Sequence, residues 1–315
     1  MSVTFSGGIT FTGGGFSFSA APEGKKAIFG YGNTGSVTAI TNLVSNTGVV
    51  ATDTVGVGTA RSLLAAADYG TDKAIFGYGT TTGSSGGIVS LTNLVSNTGV
   101  VASNTTGVGT ARAYLAAASY GTDKAIFGYG YSSNRTSITN LVSNTGVVAT
   151  DTTGVGTVRN NLAAAGYGTD KALFGYGDDG SINVSMTNLV SNTGVVSTDT
   201  TGVGTVRNNL AAAGYGTDKA IFGYGDDATG ATFYSMTNLV SNTGVVATDT
   251  TGVGTARARL AATGYSTDKA IFGYGSLSGG AVVSITNLVS NTGVVSTDTA
   301  GVGTARQALA AAAYG

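Results

Sequence analysis

The last ten residues, Arg306–Gly315, read RQALAAAAYG, a strand-forming segment with nothing after it. The same phrase, an Arg followed by an Ala-rich run and a Tyr, begins at Arg61, Arg112, Arg159, Arg207 and Arg257. There it always continues through a short Thr-Asp link into KAIFGYG or, once, KALFGYG. These second segments start at Lys26, Lys73, Lys124, Lys171, Lys219 and Lys269, and the first of them has no Arg phrase ahead of it. Each end of the chain therefore carries part of one unit. The sequence predicts that Arg306–Gly315 completes the unit begun at Lys26, which closes a ring and leaves no open sheet edge there.

The six Lys positions are 47, 51, 47, 48 and 50 residues apart. Each unit carries four strand signals, LAAAGYG, KAIFGYG, SMTNLVS and GVVATDT in representative form, separated by Gly, Asn, Asp, Ser and Thr turn residues. The only proline is Pro22, so nothing prevents ladder formation in the units. Four short strands in a repeat of about 40–50 residues match a propeller blade. We therefore expect an all-β fold: a six-bladed β-propeller with four-stranded blades over residues 26–315, closed by the C-terminal strand, plus a short N-terminal β extension over residues 1–25. Gly, Thr and Val abundance excludes a helical solenoid, and a β-helix would have a shorter period.

The order of Arg, aliphatic strand, aromatic strand ending in glycine and TNLVSNTGVV resembles the kelch repeat. In that family Arg precedes the first strand, a glycine doublet closes the second, and Tyr and Trp follow in the third and fourth. This chain has Gly-Tyr-Gly (Gly30, Tyr31, Gly32) for the doublet, Val49 and Val50 in the fourth strand, and no Trp.

Composition limits the chemistry. Charged residues are 10% of the chain, the formal net charge is −1, and no run of Lys or Arg exists, so no nucleic-acid partner is expected. Cys and His are absent and Glu23 is the only Glu, which removes most nucleophile–base pairs and zinc sites. The motifs of galactose oxidase-like and sialidase-like propeller enzymes are missing. No enzymatic activity, cofactor or metal is expected. GVGTAR offers Gly-x-Gly without a following helix, so it does not read as a phosphate loop. The start of the chain lacks the basic and apolar regions of a secretory signal, and no stretch is long enough to span a bilayer as a helix. The expectation is a soluble protein, with no membrane insertion.

Within each unit, the small side chains of Ala65–Ala67 and their equivalents suit an innermost strand. Phe29, Phe76, Phe127, Phe174, Phe222 and Phe272 suit the wider space between units. The repeated Arg and the Asp of TDT (Asp53, Asp151, Asp199, Asp249 and Asp298, with Asn104 as the exception) can be read as an anion site repeated around an axis or as junction pairs. Burial of an Arg requires partners, which favours junctions. The carboxylate pairs Asp178–Asp179 and Asp226–Asp227 read either as calcium ligands or, more simply, as solvated turns.

The copies differ at two places. Between GYG and TN the lengths are 8, 12, 8, 9, 11 and 10 residues, with unrelated content. The second place is the pair after each Arg: Ser62-Leu63, Ala113-Tyr114, Asn160-Asn161, Asn208-Asn209, Ala258-Arg259 and Gln307-Ala308. In antiparallel blades both places lie on one face, whereas the constant SNTG and GTDK turns lie on the other. A rigid frame with one variable face is the layout of a binding surface. Its candidate binding residues are Tyr131, Asn134, Arg135, Asp178, Asp179, Asp226, Asp227, Tyr234 and Arg259, types that tend to dominate recognition.

Before the repeats, Val3, Phe5, Ile9, Phe11, Phe16 and Phe18 alternate with Ser, Thr and Gly. This strand-like extension can pack on the ring's own rim or add to a partner's sheet edge, with Phe5, Ile9, Phe11, Phe16 and Phe18 as anchoring residues. The Gly/Thr/Ser/Asn-rich, Cys-free and His-free composition, the Gly-Phe start and the near-identical repeats together resemble virion proteins of marine bacteriophages, such as tail fibres or capsid decorations. That resemblance implies a virion location. The expected partners are other virion or assembly proteins through residues 1–25, and a cell-surface glycan or protein through the variable loops. The alternative is a glycan-binding lectin or glycan hydrolase that uses the propeller face or an axial pocket.

Overall fold

The two ends of the chain pair as expected. In a computed structural model, which describes residues 9–12, 15–18, 24–227 and 229–315, the C-terminal strand β20 (Ala310–Tyr314) runs antiparallel to β3 (Lys26–Asn33). The register runs from Ala310 opposite Gly30 to Tyr314 opposite Lys26. β4 (Val37–Val44) lies on the other side of β3 and completes a three-stranded sheet.

Five further sheets repeat this order of Ala-rich, KAIFG and TNLV strands. They are β5 (Ala65–Tyr69), β6 (Lys73–Gly77) and β7 (Thr92–Val95), then β8 (Ala116–Tyr120), β9 (Lys124–Gly128) and β10 (Thr139–Val142). β11 (Ala163–Tyr167), β12 (Lys171–Gly175) and β13 (Thr187–Val190) follow, then β14 (Ala211–Tyr215), β15 (Lys219–Gly223) and β16 (Thr237–Val240). The last is β17 (Ala261–Tyr265), β18 (Lys269–Gly273) and β19 (Thr286–Val289). Ahead of them β1 (Ile9–Thr12) and β2 (Gly15–Phe18) form a hairpin with Ile9 opposite Phe18 and Phe11 opposite Phe16. No helix occurs among the described residues.

The Ala-rich strands lie side by side in the order β20, β5, β8, β11, β14, β17 and back to β20. Small side chains allow this approach: in β5 the first and third alanines are buried, while Ala66 is half-buried along a cavity of about 440 Å³. Between sheets the aromatic residues interlock. Phe76 stacks at 5.1 Å on Tyr31 of the preceding sheet, and its ring lies where a Cβ at Gly30 would stand, 2.7 Å away. Every unit repeats this contact, and Phe29 against Gly273 and Tyr274 closes the series. Glycine is needed at Gly30 for close approach alone. Each buried Phe contributes about 1.5–3 kcal/mol.

The expected fourth strand differs from a regular one. GVVATDT runs beside the third strand, but forms only two isolated bridges per unit, such as Val44–Val50 and Thr41–Thr54. The bridges are three positions apart on β4 and four on its partner, so one extra residue breaks the ladder as a bulge does. That residue turns Asp53 toward Asn42, whose Nδ2 donates to Asp53 Oδ1 at 2.9 Å.

Two series of backbone hydrogen bonds run around the ring, one at each end of the Ala-rich strands. At the turns that follow these strands, the Gly70, Gly121, Gly168, Gly216 and Gly315 N–H groups donate to carbonyls of Asp123, Asp170, Asp218, Asp268 and Asp72, and Ser266 N–H donates to Lys25. At the opposite end Leu63, Tyr114, Asn161, Asn209, Arg259 and Ala308 each donate to the carbonyl of the preceding member, with Leu63 donating to Ala308 at 2.8 Å. Both series close.

Candidate binding face

Each variable loop begins with a residue that bridges the first residue of a variable pair, as Tyr131 does with Ala113, Asp178 with Asn160 and Asp226 with Asn208. The two places where the repeats differ are therefore neighbours at one end of the Ala-rich strands. The constant turns meet at the other end, where Asn144 of an SNTG turn donates to the Asp123 carboxylate of a GTDK turn at 3.1 Å.

Arg135 Nη2 donates to Asp178 Oδ1 at 3.0 Å, which joins two neighbouring loops. Asp178 Oδ1 also accepts from Gly180 N. Asp179 Oδ1 accepts from the amides of Ser181 and Ile182, and these donors hold its carboxyl below the ordinary value. Asp227 Oδ1 accepts from the Thr229 hydroxyl and from the amides of Thr229 and Ala231, and its pKa falls to about 2. Asp226 is 3% exposed, and its carboxylate accepts from Asn209 Nδ2 at 2.9 Å. Burial raises its pKa, only partly offset by Asn209 and the charge of Arg259. Asn134 and Arg259 are exposed, whereas Tyr131 and Tyr234 are half-buried. Among the described residues no group of three His, Cys, Asp or Glu side chains is placed to hold a metal ion. Of the anchoring residues Phe5 lies outside the described residues, and Ile9, Phe11, Phe16 and Phe18 lie on β1 and β2.

The repeated Arg side chains are junction pins. Arg207 is fully buried over the Tyr176 ring of the preceding sheet, with its guanidinium carbon 4.6 Å from the ring centroid. Within its own sheet Nε donates to Tyr224 O at 2.8 Å and Nη2 to Asn238 Oδ1 at 2.7 Å; Nη1 donates to Thr205 O at 3.1 Å. Burial lowers its pKa, opposed by Tyr176 and Asp249. Burial likewise pushes the Tyr176 hydroxyl up to about 12. All six Arg residues are stacked in this way. Nε of Arg61, Arg112 and Arg159 lacks the carbonyl partner, and in the closing unit Arg306 Nη2 and Asn42 Oδ1 are both unpartnered.

The Asp of TDT belongs to the same junction. Burial alone would raise the Asp151 pKa, but the Thr110 hydroxyl and amide, Asn140 and Arg112 outweigh it and lower the net value. Asp53, Asp199, Asp249 and Asp298 shift the same way. Groups depressed in the folded state stabilise it above the ordinary carboxylate pKa of ~3.9, and that stability is lost as pH falls through the lower folded values. Asp226, shifted upward, contributes a slope of the opposite sign. The second unit supplies an internal control: Asn104 replaces the Asp, its Oδ1 accepts from Thr59 N, and its Nδ2 donates to the Thr59 hydroxyl at 2.7 Å. Replacing all five Asp residues by Asn should preserve the fold at pH 7 and flatten the fall of melting temperature between about pH 5 and pH 2. An unchanged slope would show that acid sensitivity originates elsewhere.

Two features carry no clear sequence signal. The second residue of every variable pair has positive φ: Leu63 56°, Tyr114 58°, Asn161 53°, Asn209 50°, Arg259 55° and Ala308 54°. Only the Asn pairs hint at it, because Asn tolerates the left-handed region. The other feature lies at the constant-turn mouth of the cavity, where Lys25 Nζ reaches Asp68 Oδ2 at 3.1 Å and Ser119 Oγ donates to Asp68 Oδ1 at 2.8 Å. Asp68 and Ser119 share one repeat position, which Gly166, Gly214, Gly264 and Ala313 occupy in the other units.

No family model and no curated protein matches the chain.

Proposed function

We propose that the chain is a six-bladed β-propeller, each three-stranded sheet with its bulged outer segment being one blade. We propose further that it acts as a non-enzymatic adhesion or structural module of a virion, a tail fibre or capsid decoration. Residues 1–25 dock it to another assembly protein, and the variable loops contact a cell-surface glycan or protein.

The observation that supports this reading is the position of Lys25. Lys25, which leads out of the N-terminal segment, accepts from Ser266 at the constant-turn end, and its side chain is held by Asp68. The variable loops stand at the far end. An anchor and a binding surface at opposite ends of one axis can act at the same time without blocking each other. The alternative, a lectin or glycan hydrolase working in the axial cavity, has the cavity itself in its favour. Its lining carboxylates are engaged separately, Asp68 by Lys25 and Asp268 by Lys269, rather than converging as a catalytic pair.

The test uses the native particle. A chain lacking residues 1–23 should keep its melting temperature and no longer sediment with the particle. A full chain with the Tyr131–Thr136 and Asp178–Val184 loops exchanged should stay attached and lose cell binding. Retention of the truncated chain on the particle would overturn the anchor, and unchanged cell binding by the exchanged chain would overturn the face.

A further inference from the structure

The hydrogen-bonded series at the variable end is held in a strained conformation by residues that do not suit it. Left-handed backbone costs an ordinary side chain roughly 1–2 kcal/mol, and glycine adopts it freely. This chain has 52 glycines and uses them at many such positions, for example Gly32 with φ of 113°. Where a side chain is kept at another repeated left-handed position, its identity is nearly constant, as with the Tyr of GYG. Only in the variable-end series does the conformation stay fixed while identity changes among Leu, Tyr, Asn, Arg and Ala. Packing and backbone geometry therefore do not account for these side chains. Strain retained against an available glycine marks a position whose side chain is used.

The series brings these side chains around the axis. Tyr114 and Arg259 belong to opposite members of the six; burial raises the pKa of the Tyr114 hydroxyl, and the charge of Arg259 opposes that rise. The closed series of backbone hydrogen bonds sets Tyr114, Asn161 and Arg259 on one circle at the variable end. Arg259 is exposed, with one hydrogen bond, to Gln307 Oε1 at 3.3 Å, and no carboxylate in ion-pair contact among the described residues. Asn161 and Asn209 stand between Tyr114 and Arg259 on one side of the series. Asn209 is engaged with Asp226, and the Asn161 amide makes no hydrogen bond among the described residues. An aromatic ring, an amide and a guanidinium without an ion-pair partner among the described residues, set around one axis, have complementary partners in a single ligand class. A pyranose face stacks on the Tyr, its hydroxyls meet the amide, and a carboxylate on the sugar receives the planar fork of the Arg.

We propose that Tyr114, Asn161 and Arg259 form one axial site for a carboxylate-bearing saccharide, a uronate unit of an acidic glycan. The site rests on the reading of the variable end as the binding face, and it gives that face a ligand chemistry. It occurs once per ring, because no other unit carries an Arg or a Tyr at this position.

The experiment is calorimetric titration of the full chain with hexagalacturonate, a neutral galactose oligomer and a sulfated galactan oligomer. Binding of the uronate alone is expected. Arg259→Gly should weaken it at least about tenfold, the scale of a lost charge-assisted hydrogen bond. The same change should leave the melting temperature unchanged or raised, because glycine suits the left-handed position. Tyr114→Leu, which installs the residue of the second unit, should also weaken binding without unfolding the chain. Absence of uronate binding, preference for the sulfated oligomer, or full affinity in Arg259→Gly would each overturn the site. If the loop exchange abolishes cell binding while Arg259→Gly leaves it intact, the axial site falls and the binding face stands. If neither changes cell binding, the face itself falls.

Discussion

A chain ending at Ala305 should fail to fold cooperatively. Removal of Arg306–Gly315 strips β3 of its partner along the whole register from Gly30 to Lys26, and it breaks the variable-end series at two links, Leu63 to Ala308 and Ala308 to Arg259, and the other series at one, Gly315 to Asp72. It also removes the fully buried Arg306 from the Tyr274 ring, and Leu309 and Tyr314 from the packed core. Loss of the Arg alone costs about 3–5 kcal/mol and each large apolar side chain about 1.5–3 kcal/mol, which together reach the ~5–15 kcal/mol that holds a typical domain folded. Thermal unfolding followed by circular dichroism would then show no sharp transition, and the exposed edge of β3 would promote aggregation. A rescue distinguishes closure from simple loss of mass. Every other unit joins its Ala-rich strand to KAIFGYG through Thr-Asp, so placing Arg306–Gly315 ahead of Lys26 through a Thr-Asp link rebuilds the same sheet from one contiguous segment. This rearranged chain should melt cooperatively. A sharp transition at the parent temperature in the simple truncation would show that the ring does not need its last strand.

The closure was legible because it depends on order along the chain, which a repeat displays directly. The Ala-rich inner strands, the Phe and Gly contacts and the Arg junctions were legible for a related reason: each is a local size or charge requirement met six times, so Ala66, Phe76 and Arg112 explain one another across the copies. The outer segment reads as a regular strand in sequence but forms only isolated bridges, because β-propensity in GVVATDT says nothing about register. Its single extra residue, fixed by Asp53 reaching Asn42, appears only when the third strand lies beside it. The variable end was partly legible. Difference among copies located the loops, but not which side chains are spent on the loop itself. Asp179 and Asp227 look like exposed acids in sequence and instead accept their own loop amides, and Asp226 is buried. The left-handed series was invisible because Leu, Tyr and Arg conceal a backbone that glycine would have announced.

Arg207→Met should be the most damaging single substitution of a side chain that touches no ligand. Met retains an unbranched, polarisable stem and much of the volume over Tyr176, so the change removes charge and donors more than it opens a cavity. It leaves Asn238 Oδ1, Tyr224 O and Thr205 O without the guanidinium that meets them at 2.7, 2.8 and 3.1 Å. Breaking a buried charged network from one side costs about 3–5 kcal/mol. For a chain of this size that lowers the melting temperature by on the order of 10 °C. Arg207→Lys should recover little, because an ammonium cannot span three acceptors from a position stacked on a ring. Asn238→Leu alone strands the guanidinium, and combining it with Arg207→Met removes donor and acceptor together. The double variant should therefore lose less than the two single losses added, with a coupling of about 0.5–3 kcal/mol. Additive losses would show that Asn238 does not hold the guanidinium, and a cost below about 1 kcal/mol for Arg207→Met, the ordinary scale of one neutral hydrogen bond, would mean that the repeated Arg is not what couples neighbouring sheets. In that case the Phe and Gly interlock would have to hold the ring alone, and the sixfold retention of Arg would need a role outside the fold.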